Sequence, residues 1–346
     1  MQNVLELTAE EILRVDSSTP EKIFSKENFE EEYHKLRSKW HEDHNSCPEA
    51  HDVFIHIMTL AATAKFRIKT NTWNGNASIQ YTTKSGKTFK FAYRRFNEFE
   101  LGKMYIGTSH IVYVINTKNK DLFENGINAI NGITYKNVKF KEEFQKLMPK
   151  IIQKDETDIG YVLVLNKPKN TVLLQDLLDF LPNNTLPSKH TAWVISCMYN
   201  ITMFLNHIGI THNSIIPSTI FVDTQNHMCA LLGGWWYSIK ENKNLKAMPT
   251  SLTKILPKKL FNDKKSKAWY DRYAVKALGV RCLGDSTLIG SKLLFDKNIP
   301  KEMVNWLRIP PNKSSFEDYK EWIKTLEKIY GKRKFTTFDY DISQLY

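Results

Sequence analysis

The chain has 346 residues, of which 42% are hydrophobic, 12% aromatic and 25% charged. That apolar content can offset the ordering entropy of a folded core, which excludes a disordered chain, and the length allows two domains or one large one with an appendage. The net charge of +12, from 49 basic and 37 acidic residues, leaves two readings: a surface steered toward nucleic acid or an acidic protein, or scattered lysines that give solubility.

Most of the basic excess is scattered, with short clusters only at Lys264-Lys265-Ser266-Lys267 and Lys332-Arg333-Lys334, so nucleic-acid binding is not favoured. Cys47, Cys197, Cys229 and Cys282 lie far apart and form no CxxC pair, which argues against a zinc site or a disulfide framework. The opening MQNVLELTAEEIL is acidic and lacks the apolar core of a secretory leader. No stretch has the ~18 apolar residues of a membrane span. A cytoplasmic protein with reduced thiols and no membrane partner is expected.

In chain order, Ala9 to Val15 reads as a short helix, and Ser17-Ser18-Thr19-Pro20-Glu21 as a turn and helix start. Phe29, Tyr33, Leu36 and Trp40 form one apolar stripe, spaced four, three and four. Lys35 and Lys39 share the opposite side, with Arg37 near its edge. A polar loop from Glu42 to Pro48 follows, then a helix with Ala50, Phe54, Ile57, Ala61 and Ala64 in register. This is an antiparallel helical hairpin. Helical period gives way to strand period near 66–74. Residues 78–83 and 88–93 alternate around Lys84-Ser85-Gly86-Lys87, and Lys103 to Ile106 with Ile111 to Ile115 flank Gly107-Thr108-Ser109; both read as β-hairpins. Asp121 to Ile152 reads as helical with a Gly/Asn interruption. Tyr161 to Leu165 is an apolar strand, and the chain from about 171 reads as mostly helical.

Three N-terminal segments share one resemblance: Glu11-Ile12-Leu13-Arg14-Val15, Thr19-Pro20-Glu21-Lys22-Ile23, and Lys39-Trp40-His41-Glu42-Asp43-His44-Asn45. Over about 66 residues the chain resembles the J domain of DnaJ relatives. The family's loop is His-Pro-Asp; here it is His41-Glu42-Asp43. The resemblance implies docking on a DnaK-type chaperone through Lys35, Arg37 and Lys39, with His41 and Asp43 in the loop that triggers ATP hydrolysis by that partner. Pro shapes a tight loop and Glu42 does not, and Glu42 adds a negative charge opposite an acidic surface. Docking without stimulation is therefore open, as is a plain helical hairpin.

A second set of segments follows at plausible spacing: Thr171 to Leu178, Trp193 to His207, Thr211-His212-Asn213-Ser214 through Val222, Leu231-Leu232-Gly233-Gly234-Trp235, and Asp271 to Leu278. From about 100 to 336 the chain resembles the protein-kinase fold. The resemblance implies that Asp271 ties its helix to a catalytic-type loop at His212. Phosphoryl transfer needs an Asp base, an Asn and an Asp for magnesium, and a Lys on the phosphates. Those positions are Ser214, Thr219 and Gly233, with no Lys that can be placed. Magnesium prefers anionic oxygen, so the match is to a pseudokinase: not an enzyme, no metal, no cofactor, with metal-free nucleotide binding left open. Trp235, Trp236 and Tyr237 have two readings, a peptide-binding or base-stacking platform, or aromatics that fill the vacated nucleotide cleft.

The expected architecture is α+β: a J-like helical hairpin at 1–68, a kinase-like N-lobe at 69–168 and a helical C-lobe at 169–346. The expected function is that of a non-catalytic adaptor or co-chaperone-like protein whose kinase-like body binds an unknown client. The rivals are an atypical phosphotransferase and a basic nucleic-acid-binding protein.

Overall fold

The computed structural model describes residues 4–17, 19–41, 43, 45–69, 73, 77–257, 263–332, 334–340, 342 and 345. Glu42, His44 and Arg333 lie outside the described residues. The fold is mixed α/β, with antiparallel sheets and a predominantly helical second half.

Three helices come first: α1 (Ala9–Leu13), α2 (Phe29–Lys39) and α3 (Ala50–Lys69). A reciprocal cap starts α1, in which the Thr8 hydroxyl accepts from Glu11 N and the Glu11 carboxylate accepts from Thr8 N. The stripe Phe29, Tyr33, Leu36 and Trp40 is buried against Val53, Ile57, Leu60 and Ala64 of α3. Tyr33 meets Met58 and Lys65, while His41 meets Phe54. Later residues of α2 thus pair with earlier ones of α3, and the two helices run antiparallel.

Five strands then form one sheet: β3 (Arg95–Phe99), β4 (Gly102–Ile106), β5 (His110–Ile115), β6 (Ile151–Thr157) and β7 (Gly160–Asn166), preceded by a separate ribbon of β1 (Ala77–Thr82) and β2 (Thr88–Tyr93). The sheet order is β3-β4-β5-β7-β6, antiparallel throughout. Side chains alternate faces along a strand. Ile111, Tyr113 and Ile115 therefore enter the main core, while Val112 and Val114 meet Ile79 and Tyr81 of the ribbon. Helices α4 (Lys120–Asn131) and α5 (Val138–Phe144) are inserted between β5 and β6.

The second half holds β8 (Val172–Leu173), α6 (Leu174–Phe180), α7 (Ser188–His207), β9 (Ile210–Thr211), β10 (Ile220–Asp223), β11 (Met228–Leu231), β12 (Ile239–Lys240), α8 (Thr250–Thr253), α9 (Ala268–Cys282), α10 (Lys301–Arg308) and α11 (Ser315–Tyr330). The central α7 is buried along most of its length.

Two expectations need correction, and the strands add to the sequence reading. The helix projected to Ile152 gives way to β6 at Ile151, because the run pairs with β7. Strand β3, whose polar letters give no clean alternation, is absent from the sequence reading. The region after 171 is mostly helical, as expected, and also carries five short strands. The face of α2 is not simply basic, since Glu30, Glu31 and Glu32 in its first turn balance Lys35, Arg37 and Lys39 near its end.

Buried ion pairs connect the parts. Arg95 on β3 bonds Asp176 on α6 at 2.8 Å, both almost fully inaccessible, and its guanidinium lies 5.0 Å from the Phe66 ring of α3. One cation therefore joins the hairpin, the sheet and the helical half. Arg95→Ala leaves Asp176 buried without its cation, which costs about 3–5 kcal/mol. Urea unfolding is the check, and Asp176→Ala added to Arg95→Ala is expected to cost less than the sum of the two single changes.

Candidate functional site: a filled seam between sheet and helices

The site is built around Asp271, on the first turn of α9 and fully buried. Its carboxylate accepts from His212 N and Asn213 N, each at 2.7 Å. These are charge-assisted bonds that hold the turn after β9. Asn213 sits at φ 59, a conformation Asn tolerates better than most residues. Its side-chain amide donates to the Tyr237 carbonyl at 3.1 Å and to Ser266 Oγ at 3.1 Å. His212 Nε2 is 3.0 Å from the Gly233 carbonyl; a carbonyl only accepts, so the proton is on Nε2.

Ser214 is fully buried, and its carbonyl lies 2.8 Å from Thr219 Oγ1. The Thr219 carbonyl in turn accepts from Leu232 N and Gly233 N. The structure thus brings His212, Ser214, Thr219, Gly233 and Asp271 into one network. Asp271 is its only carboxylate, and both of its oxygens are occupied by backbone N–H groups.

Gly233 and Gly234 let the Tyr113 ring and the turn at His212, Ser214 and Thr219 approach closely. A Cβ on Gly233 would lie 2.8 Å from the Tyr113 hydroxyl and 3.0 Å from Thr219 Cα. Gly234 has φ +78, and a Cβ there would lie 2.6 Å from Ser214 Oγ. A side chain at either position collides with a neighbour already in place. Trp235, Trp236 and Tyr237 follow, all buried. Trp236 stacks on Phe99 at 5.1 Å and meets Tyr113 edge-on at 5.0 Å. Trp235 donates to the Leu231 carbonyl. These three residues form interior packing, with no free platform.

The sheet closes over this layer. The two residues between β3 and β4 include Glu100, whose carboxylate accepts from Thr250 N at 2.9 Å and lies 3.4 Å from the Tyr237 hydroxyl. Asn125 of α4 donates to the carbonyls of Trp236 and Ser238. Phe99, Glu100, Tyr113 and Asn125 are the parts that the sequence reading lacks. Tyr113 is the one polar-tipped residue in an otherwise aliphatic strand interior, and that was the available signal.

Burial sets the protonation states. It pushes His212 down to about 3 and Asp271 up to about 6, the latter opposed by the two N–H groups that the carboxylate accepts from. It also pushes the Tyr113 phenol far above its ordinary range.

At the other end of the chain, His41 Nδ1 lies 3.5 Å from the exposed Asp43 carboxylate and accepts from Asp43 N. Asn45 donates to the Lys39 carbonyl. Lys35 pairs with Glu31. Lys39 donates to the carbonyls of Leu5 and Leu7, both at 2.8 Å, so it holds the N-terminal segment. Arg37 is exposed. Among the described residues, no group of three His, Cys, Asp or Glu side chains could hold a metal ion. No helix there is long and apolar enough to cross a membrane.

No family model matches the chain, and no curated protein matches it. Among solved structures, one described as the structure of vaccinia related kinase 3 is similar at 14% identity and a TM-score of 0.46, covering 77% of this chain and 94% of that one. That degree of likeness adds nothing to the geometry above.

The depressed pKa of His212 has a definite sign. Its neutral form contributes stability above the ordinary histidine value of 6.5, and that contribution is lost as pH falls toward about 3. Asp271 acts oppositely: its contribution is present below 3.8 and is lost as pH rises through about 6. The stability difference between the parent chain and His212→Gln is therefore expected to narrow by about 1.4 kcal/mol per pH unit below 6.5. Urea melts of both proteins from pH 7 to pH 4 read it.

Proposed function

We propose that this protein is a non-catalytic, kinase-like scaffold carrying a J-like hairpin that docks a DnaK-type chaperone. The observation that carries the first half is the filled seam. Where a nucleotide would lie between sheet and helices, Phe99, Tyr113, Trp236 and Tyr237 are packed against one another. The sheet order, with helices inserted between its third and fourth strands, supports the kinase-like reading, as does the Asp271 brace under the His212 turn. Phosphoryl transfer requires a metal carboxylate and a phosphate-binding cation. On this reading Gly233 stands at the first position, where the Tyr113 phenol closes on it, and no lysine can be placed at the second.

The hairpin half is supported by its loop. His41 and Asp43 sit together beyond α2, and the Asn45 side chain braces the turn by bonding the Lys39 carbonyl. A local side-chain bond can shape a turn that elsewhere depends on proline. The basic contribution to docking falls on Arg37, because Lys35 and Lys39 have intramolecular partners.

Two measurements test the proposal. A ligand that binds only the folded state raises the melting temperature, so ATP, with or without magnesium, is expected to leave it unchanged; a clear rise would show an open nucleotide site. ATP hydrolysis by a DnaK-type chaperone is expected to speed up with the full chain and to lose that stimulation with Asp43→Asn. Gain only with Glu42→Pro would mean docking without signalling, and no response from either protein would remove the chaperone half.

A further inference from the structure

We infer that the groove bounded by the end of α4, by α5 and by the start of β6 is a docking site for an acidic amphipathic segment of a partner protein. The inference rests on the scaffold reading and gives it a surface.

The groove is an open depression of about 570 Å³, within the range of sites that hold a ligand group. Ile130, Met148 and Pro149 are buried on its floor, and Lys141, Lys146 and Lys150 are exposed on its rim. Glu142 is the single acid among the lining residues. None of the three lysines forms an ion pair among the described residues. An apolar floor under an unneutralised cationic rim suits a segment that buries leucines and presents glutamates or aspartates outward. The apolar contacts supply affinity, and the charges supply approach and register.

The groove is also preformed. Asn137 caps α5 by accepting from Phe140 N. Phe144 and Tyr135 both stack on Phe204 of α7, at 4.5 Å and 5.6 Å. Asn166 N bonds the Lys150 carbonyl at 2.9 Å. A site already held in shape loses little entropy on binding. Nucleic acid fits less well, because Tyr135 is the one aromatic lining residue and one face of its ring is already stacked on Phe204.

The test is fluorescence anisotropy with the full chain and a short fluorescein-labelled peptide of Glu and Leu, its leucines on one helical face. A scrambled peptide of the same composition and a labelled thymidine oligonucleotide serve as controls. Binding of the ordered peptide is expected to weaken at least about tenfold in K141E/K146E/K150E. It is expected to change less than about twofold in K297E/K320E/K324E, which reverses three exposed lysines elsewhere. The scrambled peptide is expected to bind more weakly than the ordered one. Equal losses in both triple variants would show non-specific attraction to a basic protein and overturn the inference. So would no binding by the parent chain, or tighter binding of the oligonucleotide that the groove reversal abolishes. A Lys→Gln set at the same groove positions, checked by circular dichroism, separates lost binding from lost folding. Neither nucleotide nor chaperone enters the measurement, so its failure and that of the scaffold reading are separately visible.

Discussion

The carboxylate of Asp271 is the contact on which the centre of the molecule depends. Burying it is costly, as its raised pKa of about 6 records, yet it satisfies two buried backbone N–H groups at once. Orphaning a buried donor costs on the order of 1–3 kcal/mol each. With the turn fixed, Asn213 reaches the Tyr237 carbonyl and His212 reaches the Gly233 carbonyl. The aromatic run from 235 to 237 is thereby placed by hydrogen bonds as well as by packing.

From that frame the closure of the seam follows sterically. Gly233 and Gly234 have no side chains, so the turn at 214–219 and the Tyr113 ring occupy the volume that side chains there would need. Trp236 then finds Phe99 and Tyr113 as partners, and Glu100 ties the tip of the sheet to the start of α8. The arrangement is densely packed and largely aromatic, and the Tyr113 and Ser214 hydroxyls are buried in it without a hydrogen-bond partner among the described residues.

Where periodicity was strong, the sequence was legible. The stripe through Tyr33, Leu36 and Trp40 packs as its spacing requires, and the turn at Lys84 to Lys87 closes the ribbon. Strand β3 was not legible, because Arg95 in a strand looks solvent-bound until its partner Asp176, 81 positions away, is brought beside it. The two-residue strands β8, β9 and β12 exist only through distant pairing and leave no local pattern. Lys39 carries the same lesson: a lysine opposite an apolar stripe looks free, but its ammonium is held by carbonyls of an earlier segment. At the candidate site, residue identities placed Trp235, Trp236 and Tyr237 together, but not the Phe99 and Tyr113 rings that pack on Trp236.

The contact of Phe66 with Arg95 bears on how the N-terminal helices can work. A module on a floppy tether samples many directions, and its effective concentration at a second site falls as the tether lengthens. Helix α3 instead ends against the sheet, under a guanidinium anchored in the helical half. Anything that grips the loop at His41 is therefore presented to the body along one approach, at a near-constant distance. The arrangement behaves as a bracket, so a second partner seated on the body would meet the first at a fixed span.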